Sequence, residues 1–528
     1  MGVASDTGME KGEETVVVVT DETEERKEED GGEEEKKKEA GEESSEKEVK
    51  ISRLQASNPV PPIQIQTPSP AQTRTLFSEP PLQTPQQQPS LASLNSTEYT
   101  NRISLFLFLF HMTIAITAVC FLIFKAIQGL LRNGSTQTKE KEVLEFWLPQ
   151  IEGSAIISII LAWAWQKAFR EWPEIMVRII LWSSFVFSLS AGILLLCFSM
   201  APTDGVGVAL IAFAVGNGLY ACWVTQRIHF TAKVISVSLK PVAKFSDLNQ
   251  PTFWMLGVGF MWMSLWNFAV IGALNFYVPP LIIIGLLLSL AWVTEVMRNV
   301  VNLTVCRVVS LYYLRGMQAE TQFCFQRAMS QNLGSACLGS LFVPAIEALR
   351  IVARVLNLLK GEDEFMFSCA HCCLKVMEAI FRYGNGWAFV HIAAYGRGFV
   401  TASQSTWALF ERTRMEPLVD ADITSSICFL TGTASGSICV IFAAAWTYSE
   451  HKSYTATVSM LAFFIGYLMT RIGMALPHSC VSCYYVCYAE NAGNRRLFDD
   501  TIPRQLDAIQ SSRDGGMPTP RLPRRFTT

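Results

Sequence analysis

The residues with the most chemical scope are polar and aromatic side chains set inside long apolar runs. Trp292, Glu295, Asn299 and Asn302 recur at spacings of three and four, which a helix of 3.6 residues per turn places on one face. Arg298 lies one turn from Glu295. An ionisable group among apolar residues is costly in lipid, so each is a functional candidate. Two readings of this face stay open. Glu295 and Arg298 neutralise each other and hold helices together, or the face lines water and touches a substrate. Upstream, Trp254, Trp262 and Trp266 form an aromatic stripe with Asn267 beside it. Trp254 sits near the end of its run, as interface anchors do, while Trp262 and Trp266 lie deeper and suit either packing or binding. Downstream, Trp387, His391 and Tyr395 stack on one helical face at i, i+4 and i+8. A histidine can titrate near neutral pH or act as a packed hydrogen-bonder. Arg397 follows between Gly396 and Gly398, which can break a helix and leave Arg397 at a cavity or an interface.

The elements that position these groups are membrane helices. Half of the 528 residues are apolar, only 17% are charged, and mean hydropathy is positive. Charge crowds the two ends. A bilayer core needs about 20 apolar residues of helix, and about ten runs qualify. They are 103–124, 149–167, 175–198, 205–224, 252–276, 279–305, 328–349, 386–410, 424–448 and 455–475. Arg and Glu intrude in the seventh and eighth. The runs are too long and too continuously apolar for barrel strands, and their Gly, Ser and Ala suit close helix packing. The expected fold is an all-α polytopic bundle. Residues 1–100 form an acidic, then Pro/Gln-rich cytosolic tail without an apolar face, expected to be disordered. Residues 101–476 form the transmembrane domain, and 477–528 a basic cytosolic tail.

Lys and Arg set the orientation. With the N-terminus inside, most short basic loops fall inside, among them those with Lys167, Arg170, Lys233, Lys240 and Arg307. The loops at 199–204 and 277–278 hold none. Residues 350–385 disagree, because five cations there fall outside by an even count. Either an amphipathic stretch lies along the membrane or the seventh run is re-entrant. Asn133-Gly134-Ser135 is a sequon in the first outer loop. Thr67-Pro68, Ser69-Pro70 and Thr84-Pro85 resemble proline-directed kinase sites, so kinases are candidate partners of the tail. The N-terminus lacks a signal-peptide pattern, and Asp6 argues against myristoylation. The fourteen cysteines show no framework spacing. Cys369-Ala370-His371-Cys372-Cys373 lacks the second pair that a closed zinc site needs, so a cytosolic, acylated cluster is favoured over metal.

No phosphate loop, dinucleotide fingerprint, HExxH or GxSxG is present, so no enzyme and no cofactor are expected. The run Asn385-Gly386-Trp387-Ala388-Phe389-Val390-His391-Ile392-Ala393-Ala394-Tyr395-Gly396-Arg397-Gly398-Phe399 resembles the signature of the choline transporter-like family, solute carrier family 44. Ser403 and Trp407 continue it. Gly339-Ser340-Leu341 leading to Ile351 and Arg354 resembles that family's small-residue helix. Trp292, Glu295, Asn302 and Tyr312-Tyr313 resemble its helix with Trp, then Gln or Glu, then Gln, then Tyr-Tyr, and Tyr485 to Glu490 its acidic segment after the last span. The resemblance covers residues 100–500. Trp387 stands where the family has Asn, Arg307 where it has a small residue, and the large first outer loop is missing, which suggests a short-loop branch.

The resemblance implies transport of choline or a related quaternary or primary amine at the plasma membrane, with an endomembrane as the alternative site. Its partners would be that amine and the lipid bilayer, with no role for nucleic acid. A quaternary ammonium has no N–H to donate, so aromatic faces and diffuse negative charge must recognise it. Trp262, Trp266, Trp292, Glu295, Asn299, Asn302, Trp387, His391 and Tyr395 are the candidate substrate residues, with alternating access as the mechanism. The alternative is a non-transporting membrane organiser or trafficking protein that acts through its tails.

Overall fold

The computed structural model describes residues 99–131, 147–274, 276–359, 379–491 and 498–514, with isolated positions at 141, 144–145 and 376. The sequon, the kinase-like sites and the cysteine cluster at 369–373 lie outside the described residues. Among the described residues there is no strand. In chain order the helices are α1 (Arg102–Leu131), α2 (Leu148–Glu171), α3 (Pro173–Cys197), α4 (Ala201–Val224), α5 (Ile228–Ser238), α6 (Lys240–Lys244), α7 (Gln250–Ala273) and α8 (Pro279–Arg315). They continue as α9 (Thr321–Met329), α10 (Leu333–Leu359), α11 (Ala388–Tyr395), α12 (Phe399–Thr413), α13 (Glu416–Ala421), α14 (Thr424–Glu450), α15 (Thr455–Gly473), α16 (Ala475–Glu490) and α17 (Thr501–Asp514).

Eight described helical stretches are long and apolar enough to cross a bilayer, and a bent pair makes up to nine. α1 carries Phe106, Leu107, Leu109 and Phe110 on its exposed surface, an apolar belt that suits lipid and not water. α8 is the hub. It packs against α7, α9, α10, α11, α15 and α16. Its 37 residues would reach about 55 Å at 1.5 Å each, well beyond a bilayer core. The sixth expected span, ending at 305, is therefore only the apolar part of it. Arg307, expected in a loop, is buried in α8 and donates to the Ala393 carbonyl at 2.8 Å.

Three expected segments are redrawn, two of them in a form the sequence also allows, the seventh run as re-entrant and the eighth as broken at its glycines. The seventh run is not one straight span. Thr321–Met329 and Leu333–Leu349 meet at 71°. The chain leading into α1 docks at that bend, where Thr100 donates its N–H and its hydroxyl to the Gln331 carbonyl at 2.9 and 3.1 Å. The eighth run is two helices. Gly396, with φ of +66°, ends α11, and its N–H bonds back to the Ile392 carbonyl. A side chain at that φ would meet left-handed strain, which glycine escapes. Gly398 begins α12 without a side chain to cap it, and Asn101 Oδ1 accepts the Phe399 N–H at 2.8 Å instead. Finally, the expected boundary between domain and tail at 476 falls inside α16, nearly all of which is buried against the bundle.

α17 is tied to that helix through Asp499, which accepts hydrogen bonds from the Tyr484 hydroxyl at 2.5 Å and the Thr501 hydroxyl at 2.8 Å. Burial alone would raise the Asp499 carboxyl. These hydrogen bonds outweigh it and hold the group below its ordinary range.

Candidate functional site

The polar face of α8 forms as the spacing requires, and each of its members reaches a different neighbour. Trp292 Nε1 donates to Ser340 Oγ on α10 at 2.9 Å. Asn299 Nδ2 donates to the Ala336 carbonyl, also on α10, at 3.3 Å. Asn302 Oδ1 accepts from Ser479 Oγ on α16 at 2.5 Å. Glu295 is held on both oxygens. Arg298 Nη1 lies 2.8 Å from Oε2, and Arg471 Nη2, from α15, lies 3.0 Å from Oε1. The three side chains are only 12–14% exposed. The pair expected within α8 is thus a triad that joins two helices. A carboxylate shared by two guanidinium groups has little charge left for a third cation.

The aromatic candidates divide. Trp266 is 1% exposed and belongs to the main core. Trp262 and Trp292 pack on a smaller cluster built by Phe108, Val293, Val296 and Cys337. There Phe108 meets Trp292 edge-on at 5.5 Å and His111 lies 4.5 Å from it. Trp254 is 68% exposed near the start of α7, where an interface anchor belongs.

The third group converges on a partner outside its own helix. His391 Nε2 lies 2.8 Å from Glu490 Oε1, and the Tyr395 hydroxyl donates to Glu490 Oε2 at 2.6 Å. His391 Nδ1 faces the Thr406 hydroxyl on α12. An ionised Glu490 only accepts, so His391 bonds to it through an Nε2–H. The His391 and Tyr395 rings are stacked at 5.6 Å, and Trp387 stands edge-on to Tyr485 at 5.5 Å and to Phe410 at 5.9 Å. Arg397 turns outward. It is exposed, donates to Ser405 Oγ at 2.8 Å, and lies over the Tyr395 ring at 5.5 Å. The break between α11 and α12 therefore sets an aromatic wall and a carboxylate beside the facing ends of two short helices.

Of the ionisable residues inside expected spans that the sequence analysis does not name, two stand out by their contacts. One is Arg471. The other is Glu152 on α2, which accepts from Ser264 Oγ at 2.9 Å and Asn267 Nδ2 at 3.0 Å on α7. Among the described residues no cation pairs with it. The rule that singled out Glu295 applies equally to both. At 100° per residue, Ser264 and Asn267 lie on the face of α7 opposite Trp262 and Trp266, so Glu152 and the aromatic stripe do not share a site.

Residues 208–492, just over half of the chain, match the family model described as plasma-membrane choline transporter. That stretch runs from α4 to the end of α16 and contains both buried clusters. A CTL-like protein of Dictyostelium discoideum is 24% identical over 349 residues, 63% of this chain and 61% of that protein. A protein named PNS1 from Mycosarcoma maydis is 26% identical over 225 residues, 40% of this chain and 42% of its own length. Another PNS1, from Debaryomyces hansenii, is 23% identical over 353 residues, 57% and 68% of the two chains. The chain thus spans less than two thirds of the length of the first two relatives.

Proposed function

The chain belongs to the plasma-membrane choline transporter family, and from that premise we propose that it carries choline or a related quaternary or primary amine across the plasma membrane by alternating access. The observation that carries this reading is the broken helix at Gly396, with Glu490 held against Tyr395 and His391 beside the break. Discontinuous helices in transporters mark the place where backbone and side chains line a cavity within the membrane. In this reading the ammonium rests against the face of Trp387, and Glu490, held by the Tyr395 hydroxyl and His391, supplies the negative charge. His391 orients Glu490. Trp262 and Trp292 form a second aromatic wall along the path. Trp266, Glu295, Asn299 and Asn302 hold the helices that rock against one another, and Glu295 is neutralised by its arginines.

Binding of labelled choline to the purified protein tests the recognition chemistry. The competitor is the neutral carbon isostere of choline, in which a tert-butyl group replaces the trimethylammonium. Tetramethylammonium should compete. The isostere should be about tenfold weaker or worse, because a desolvated cation over aromatic faces contributes about 1–2 kcal/mol. Equal competition by the isostere contradicts a site built on charge and ring faces.

A further inference from the structure

A cleft of about 420 Å³ lies at the C-terminal end of α2, bounded by α5, α6 and the start of α7. Lys167, Arg170 and Lys240 line it, against one acid, Glu171. None of the three cations is in a salt bridge among the described residues, and Lys167 lies over the Trp163 ring at 5.5 Å. The buried Gln166 forms the floor and is fixed by a hydrogen bond to the Gly473 carbonyl at 2.5 Å. The first turn of α7 opens onto the same space through Phe253, and its cap carries no side-chain hydrogen bond. Trp163 is 50% exposed and Phe253 44%, so the rim of the cleft is aromatic and continuous with the apolar outer surface.

The sign of this charge matters. A quaternary ammonium would be repelled by three cations, so the cleft does not serve the amine. We propose that it holds the phosphate-bearing headgroup of an anionic lipid. The lysines and the arginine match phosphate oxygens, and the Trp163–Phe253 rim lets acyl chains leave directly into the bilayer. A soluble anion has no use for that rim. With both tails inside, the cleft opens on the cytosolic leaflet, where anionic lipids concentrate. Only this choice of leaflet rests on the orientation read from the loops, and nothing in the proposal depends on the transported substrate.

The test is direct binding to the purified full chain in detergent. The probe is dioctanoyl phosphatidylinositol phosphate, with dioctanoyl phosphatidylcholine and free inositol phosphate alongside. The anionic lipid should bind, the zwitterionic lipid should not, and the free headgroup should bind much more weakly. Replacing Lys167→Gln and Lys240→Gln together should weaken the anionic lipid about 30-fold, and Lys240→Gln alone about fivefold. Both lysines are exposed, so thermal unfolding of the variants should match the parent. Lys233→Gln, which removes an exposed lysine that does not line the cleft, should leave binding unchanged. Free inositol phosphate binding as tightly as the lipid would assign the cleft to a soluble anion and overturn the proposal. Equal binding of phosphatidylcholine, or lysine variants that bind like the parent, would overturn it as well. Choline uptake is not a readout here, so failure of the transport reading would leave this result standing.

Discussion

Glu295→Gln is expected to destabilise the purified protein by about 3–5 kcal/mol while leaving choline affinity unchanged in the fraction that folds. The reason is the partner set. One carboxylate bridges Arg298 and Arg471, at 2.8 and 3.0 Å, and all three side chains are largely withdrawn from solvent. An amide keeps the shape but removes the negative charge that bridges the two guanidinium groups, so their mutual repulsion is no longer offset between them. Thermal unfolding and choline binding measured on the same preparation separate the two roles. A variant that unfolds like the parent but binds choline weakly would return Glu295 to the substrate site.

Gly272→Val should also destabilise the protein, through sterics alone. α1 and α7 cross where a Cβ on Gly272 would overlap the Leu122 carbonyl. The obstacle is backbone, which has no rotamer to change, so one of two long helices must shift. Overpacking typically costs about 1–3 kcal/mol, and a clash with main chain belongs at the upper end. Gly257 lies on the same helix, and a methyl group there would meet nothing within 4 Å, so Gly257→Ala is the matched control. Loss of monodisperse protein in detergent for Gly272→Val, with Gly257→Ala retained, is the expected pattern. A Gly272→Val protein as stable as the parent would mean that the two helices do not cross this closely.

The fold was legible where a single property decided it. Runs of apolar residues long enough to span lipid gave α1, α2, α3, α4, α7, α8, α14 and α15, because in a bilayer length and hydropathy leave the backbone little choice. Legibility failed where distant contacts decide. The bend at 330–332 coincides with Thr100 docking on Gln331 from 231 residues away, which no local pattern reports. α16 read as tail because His478, Ser479, Ser482 and Glu490 dilute its hydropathy. Its neighbours are protein, so those polar groups find partners there. Ser479 meets Asn302, and His478 Nε2 lies 3.1 Å from Ser425 Oγ. The break at Gly396 was visible, since two glycines flanked a charge.

The candidate site was legible to the same degree. Helical spacing found the faces of α8 and α11, and it found the local Glu295–Arg298 pair. It could not find Arg471, 176 residues from Glu295, or pair His391 with Glu490, 99 residues away. Those pairings set one carboxylate between two guanidinium groups and the other beside aromatic rings. Glu295 and Glu490 look alike as acids in apolar surroundings. Two arginines on one, and a histidine and a tyrosine on the other, separate their roles.

The central claim is that this bundle moves an amine across a membrane. Uptake of labelled choline into liposomes reconstituted with the purified full chain tests it most directly. The account predicts saturable uptake above protein-free liposomes, abolished by excess unlabelled choline. Protein that is monodisperse and unfolds cooperatively, yet takes up no more choline or other amine than empty liposomes, would contradict it.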